Sequence, residues 1–184
     1  VINILGQNTI IPSIRKLKYL DAALKSDSPF ILLSDVHIGN LKSLTKKCHE
    51  ENKKVIVHLD LVEGLTKDTK GVKILKELFE VDGVISPNQR IVNAAKKIEL
   101  LSIYRLFLLD SRSFESGMKS LEKCHLDGIE MLPAPFAVHF VNAIKKAAPG
   151  VPLLAGGFID TPETIKQVFN AGFHALTTSK SELW

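Results

Sequence analysis

Cysteine is scarce in this sequence. Two residues, Cys48 and Cys124, stand far apart in 184 residues, and neither has a CxxC neighbour. That excludes a disulfide framework and the common zinc-site spacings, and leaves reduced, partly buried thiols as the plain reading. Long apolar runs are also missing. No stretch approaches the roughly 20 residues that cross a bilayer. The start of the chain lacks the basic, apolar, small-residue order of a signal peptide. No membrane association is expected, and a cytoplasmic location is. There is no low-complexity segment, linker or basic tail. Lys and Arg total 24 against 20 Asp and Glu, a formal charge of +4. So slight an excess permits an acidic partner without requiring one. Hydrophobic residues at 45% and charged residues at 24% are those of a folded globule.

What is present is a regular alternation of short apolar runs and helical periodicities. The apolar runs are Thr9–Ile14, Phe30–Leu33, Val55–Asp60, Val84–Ile85, Leu101–Leu109, Gly128–Met131, Val151–Ala155 and His174–Thr177. Between them, residues recur at spacings of three and four, as in Leu17, Leu20 and Leu24, or Leu41, Leu44 and Cys48. Asp68, Ser86-Pro87 and Thr161-Pro162 read as helix caps and first turns. Ser113–Cys124 and Ala137–Ala147 read as single helices. Repeated strand–helix units need parallel strands with right-handed crossovers. Eight of them argue for an α/β fold, a compact TIM-type (β/α)8 barrel, formed by residues 1–184 as one domain. The rival is an open doubly wound sheet, but no Gly-x-Gly-x-x-Gly follows the first strand. The barrel must be trimmed, because 184 residues allow 23 per repeat, against about 250 residues in a typical barrel.

In such a barrel, function sits at the C-terminal strand ends. The polar residues there are Asp35, Asp60, Glu63, Ser86, Arg105, Asp110, Ser111, Glu130, Gly156, Gly157, Thr177, Thr178 and Ser179. Gly156-Gly157 and the Thr177–Ser179 hydroxyls follow strands seven and eight, where barrels frequently hold phosphate. A small phosphorylated ligand fits there. Asp60 and Glu63 could accept hydrogen bonds from ligand hydroxyls, bind a divalent cation or act as acid and base. Arg105 could neutralise them or reach phosphate. A structural salt-bridge network would also account for these three, and Asp110-Ser111 could simply cap a helix. Glu130 interrupts an apolar strand, and facing the mouth would relieve that cost. His58 lies inside a strand and suits the barrel interior. The histidines show no metal spacing, and no catalytic residues are assigned.

These residues carry a resemblance. His58-Leu59-Asp60-Leu61-Val62-Glu63-Gly64-Leu65, Asp82–Ser86, Arg105–Ser111, Glu130–Pro133, Ala155–Ile159, Thr177–Ser179 and Leu183-Trp184 together resemble the glycerol uptake operon antiterminator family. The resemblance runs from Ile10 onward. It implies a compact TIM-type barrel that responds to glycerol 3-phosphate and acts on leader mRNA of glycerol-utilisation operons, preventing early termination of transcription. Carried over residue by residue, it implies ligand binding by Asp60, Glu63, Arg105, Asp110, Glu130, Gly156, Gly157, Thr178 and Ser179. It implies leader mRNA and a small phosphorylated metabolite as partners, no cofactor beyond that regulatory ligand, and leaves a homo-oligomer open. Pro87, Asn88, Ala134, Phe158 and Phe173 depart from the family pattern and bear on pocket shape. Arg90, Lys96 and Lys97 are candidate RNA contacts. A phosphosugar or glycerophosphate-processing barrel enzyme is the alternative, and a metabolite-binding protein without RNA activity a third reading.

Overall fold

The computed structural model describes residues 5–184. Eight parallel strands close into a barrel: β1 (Thr9–Ile14), β2 (Phe30–Leu33), β4 (Lys54–His58), β6 (Gly83–Ser86), β7 (Leu101–Phe107), β8 (Gly128–Leu132), β9 (Leu153–Gly156) and β10 (Ala175–Thr178). The ring closes where β1 pairs with β10, Thr9 to Pro12 lying opposite Ala175 to Thr178. Two further strands, β3 (Val36–His37) and β5 (Val62–Glu63), pair outside the barrel. The crossovers carry α1 (Leu20–Leu24), α2 (Ile38–Glu50), α3 (Thr69–Glu77), α4 (Gln89–Lys97), α5 (Ser111–Leu121), α6 (Ala134–Ala137), α7 (Val141–Ala147) and α8 (Pro162–Asn170). Several helices are only one or two turns long, which is how eight repeats fit this chain. The doubly wound alternative is thereby set aside.

The period-2 alternation of each strand decides what fills the barrel. Ile11, Phe30, Leu32, Ile56, Ile85, Ile103 and Leu154 form one buried apolar cluster inside it. Two residues further along, four strands supply polar side chains, Ser13 on β1, His58 on β4, Arg105 on β7 and Thr177 on β10, while Gly156 on β9 leaves room for them. Glu130 on β8 lies in this layer too. The interior is therefore apolar below and polar on top. The opposite strand faces pack against the helices in two separate clusters, one under α1–α4 and one under α5–α8.

Local chemistry sets the helix starts. Asp68 accepts from the Lys70 and Gly71 amides, and Thr161 accepts from Thr164 with Pro162 in the first turn, both as expected. Ser86 is different. It ends β6, accepts from the Asn88 amide, and leaves Asn88 to cap α4. Asn88 is the better cap here because its Oδ1 reaches the Arg90 amide at 2.9 Å. The expected helix Ala137–Ala147 starts later, as α7 at Val141, because the short α6 ends at Ala137 and a turn through Phe140 separates the two.

Candidate functional site

A cavity of about 650 Å³ opens at the C-terminal end of the barrel. Its wall includes Arg15, Ser34 and Asp35 after β1 and β2, His58 and Leu61 at β4, and Arg105 on β7. The other side is made by Gly157 to Asp160 after β9 and Thr177 to Lys180 at β10. Beneath it lies the polar layer. Glu130 is fully buried. Its Oε1 accepts from the Thr177 hydroxyl at 2.9 Å, and its Oε2 stands 3.0 Å from Arg105 Nε and 3.6 Å from His58 Nε2. Burial alone pushes Glu130 up. The His58 ring, the Arg105 charge and the Thr177 hydroxyl outweigh it and hold the carboxyl below the usual carboxylate range. Glu130 is therefore an anion inside the barrel, and Arg105 compensates its charge.

Gly156 makes this packing possible. A Cβ there would lie 2.9 Å from both Glu130 Oε1 and Thr177 Oγ1. Gly157 follows in the left-handed region at φ +74°, where a side chain is strained. Phe158 continues that turn at φ +57°, 74% exposed at the rim. The strain of a bulky residue in this conformation is held in a loop that lines the cavity. Gly157 also accepts from the Ala134 amide, linking the loop to the start of α6.

The sequence-derived site residues divide into two groups. Arg105, Glu130, Gly156, Gly157, Thr178 and Ser179 meet at this end, in the cavity wall or directly beneath it. Thr178 has a shaping role: its hydroxyl donates to Ile159 O and accepts from Lys180 N, and Trp184 Nε1 donates to its carbonyl. Asp60, Glu63 and Asp110 are not in the cavity wall. Asp60 accepts from Ser86 Oγ at 2.8 Å. Glu63 is exposed on β5, opposite His37 of β3. Asp110 caps α5 in a reciprocal box with Ser113. Among the described residues no group of three or more His, Cys, Asp or Glu is arranged to hold a metal ion. Burial pushes the Cys48 and Cys124 thiols up to about 11, so both stay protonated.

Ser13, Arg15, Ser34, His58, Asp160 and Lys180 are the polar wall residues that strand-end reading left out. Arg15 is at a strand end, since it directly follows β1, as Ser34 and Asp35 follow β2. His58 follows from counting inward positions on β4 from Ile56. Lys180 is one residue beyond Ser179, and its ammonium sits 3.5 Å from Asp160. Of the departures from the family pattern, Phe158 reaches the cavity, whereas Ala134 and Phe173 are buried in the layer between barrel and helices. Pro87 and Asn88 are exposed before α4.

Comparison with known proteins places this barrel. A solved structure of the glycerol uptake operon antiterminator regulatory protein from Listeria monocytogenes superposes with a TM-score of 0.89 and 34% identity, over 96% of this chain and 94% of that one. A glycerol uptake operon antiterminator-related protein from Thermotoga maritima gives 0.85 and 26%, over 97% and 98%. The Escherichia coli protein YgcP is 30% identical across all of this chain and 95% of its own length. A family model for glycerol-3-phosphate responsive antiterminators matches residues 10–184. No helix among the described residues is long and apolar enough to cross a membrane. The chain thus belongs to the glycerol-3-phosphate responsive antiterminator family, regulators of transcription antitermination.

Proposed function

We propose that this barrel, acting as a single domain in the cytoplasm, binds glycerol 3-phosphate in its C-terminal cavity and in that state binds leader mRNA of a glycerol-utilisation operon. The observation that carries the reading is the cavity itself, which combines a left-handed Gly157 turn, Ser179 and the cations Arg15 and Lys180 on one rim with a polar floor. The phosphate lies against Gly157, Ser179, Arg15 and Lys180, at the usual phosphate end of a barrel. The glycerol hydroxyls lie toward Arg105. Gly156, Glu130 and Thr178 shape the site from below and beside it. Asp60, Glu63 and Asp110 act on this site only through the loops they hold.

Ligand changes RNA affinity only by binding one conformation or assembly more tightly than another. The strained Gly157–Phe158 turn and the loops around it are the elements positioned to supply that difference, within one chain or across a pair of copies. RNA phosphates would meet exposed cations. Arg90 and Lys97 are exposed on α4 and free for this role, whereas Lys96 is paired with Asp127.

The test is leader-RNA binding with and without glycerol 3-phosphate. RNA affinity rises at least tenfold with ligand in the wild type. Gly157→Ala weakens glycerol 3-phosphate binding and moves that response to higher ligand concentration. Equal RNA affinity in both conditions contradicts the proposal.

A further inference from the structure

Among the described residues, His58 is a buried side chain with both of its polar atoms unpaired. It is 4% exposed and lies in the cavity wall, yet neither ring nitrogen has a hydrogen-bond partner among the described residues. Glu130 Oε2, 3.6 Å from Nε2, is beyond hydrogen-bond distance and also lacks a hydrogen bond. Native interiors seldom leave such atoms unpaired. An imidazole presents one donor and one acceptor when neutral, and a hydroxyl group can answer either.

The charges around His58 narrow the partner further. Positive charge on the rim belongs to Arg15 and to Lys180, the latter 3.5 Å from Asp160, with Asp35 in the same wall. On the floor, the Arg105 charge is already met by Glu130 at 3.0 Å. A ligand carboxylate brought to the floor would face the ionised Glu130, with the Arg105 guanidinium already committed to that same carboxylate. A hydroxyl carries no such penalty. We propose that His58, with the Glu130–Arg105 pair behind it, selects the hydroxyl-bearing end of a phosphorylated polyol and rejects ligands that carry a carboxylate at that end. This rests on reading the cavity as the ligand site and adds what that site discriminates.

Calorimetric titration with three probes tests it: glycerol 3-phosphate, 3-phosphoglycerate and inorganic phosphate. 3-Phosphoglycerate keeps the three-carbon phosphate skeleton and replaces the terminal hydroxymethyl group with a carboxylate. The wild type binds glycerol 3-phosphate at least tenfold more tightly than 3-phosphoglycerate. His58→Phe, which keeps an aromatic ring and removes both ring nitrogens, loses at least tenfold for glycerol 3-phosphate and much less for inorganic phosphate. Glu130→Gln leaves Arg105 uncompensated, so 3-phosphoglycerate gains and the ratio falls to within threefold. If that variant does not fold, the wild-type ratio and His58→Phe still decide the matter. A wild-type ratio near one, or unchanged glycerol 3-phosphate affinity in His58→Phe, overturns the selectivity while leaving the cavity as a ligand site. Failure of all three probes to bind overturns both.

Discussion

At the base of the barrel, polar side chains are spent on the backbone. Asp82, just before β6, accepts from the Val55 amide of β4 at 2.7 Å and also pairs with His49. Asp127, just before β8, accepts from the Ser102 amide of β7 at 3.0 Å, from the Ser102 hydroxyl, and from Lys96. His174, just before β10, accepts through Nδ1 from the Leu153 amide of β9 at 3.2 Å. Each of these residues also donates its own amide back to the same neighbour's carbonyl. One device thus locks three pairs of adjacent strands at their N-terminal ends. At the mouth the layer of His58, Arg105 and Glu130 holds atoms with no hydrogen-bond partner. The same kinds of residue do different work: at the base they close strand ends, and at the mouth they line or underlie the cavity with atoms left unpaired. Completeness of hydrogen bonding, more than residue type, separates the base from the mouth that we propose as the ligand site.

The sharpest way to break this contrast is Arg105→Met. It strips the compensating charge from a fully buried Glu130. Removing one partner of a buried ion pair costs about 3–5 kcal/mol. Urea unfolding at pH 7 reads this loss, and part of it is recovered toward lower pH as Glu130 takes up a proton. In the wild type the sign is opposite: Glu130 is held below 4.5, so its contribution is present above that pH and lost as pH falls through the lower folded value.

Asp127→Ala is next. It orphans the Ser102 amide at the base and costs about 1–3 kcal/mol, also read by urea unfolding. Glycerol 3-phosphate affinity stays unchanged, because the residue lies at the far end from the cavity. An affinity loss would blur the division of labour between the two ends.

The smallest effect is one of pH. Burial first, then the Lys145 charge, holds His174 below its ordinary 6.5. The unfolded chain therefore takes up a proton more readily than the folded one. The His174 contribution is complete above pH 6.5 and declines below it until the folded value is passed. Wild-type stability falls between pH 7.5 and 5.5, and His174→Asn shows a shallower fall in the same denaturant series.

The sequence was informative where side-chain pattern alone decides structure. Thr9–Ile14 stands as read, Asp68 and Thr161 cap as read, and the eight strands close as their repetition required. It was weaker where two polar residues competed for one job. Ser86 and Asn88 both suit a helix start, and only the length of β6 decides between them. The site shows the same limit. Gly157, Arg105 and Glu130 follow from strand ends. Asp60 and Glu63 lie only a few residues beyond His58, but a short turn and β5 carry them away from the wall while His58 stays in it. Spacing along the chain could not reveal that turn.

The claim that the mouth binds and the base stabilises is tested most directly by following backbone amide resonances during a glycerol 3-phosphate titration. Gly157, Phe158, Ser179 and Lys180 should move together and saturate, while Asp82, Gly83, Asp127 and Gly128 stay in place. Saturable shifts centred on the base residues, with the Gly157 and Ser179 amides unmoved, would contradict it.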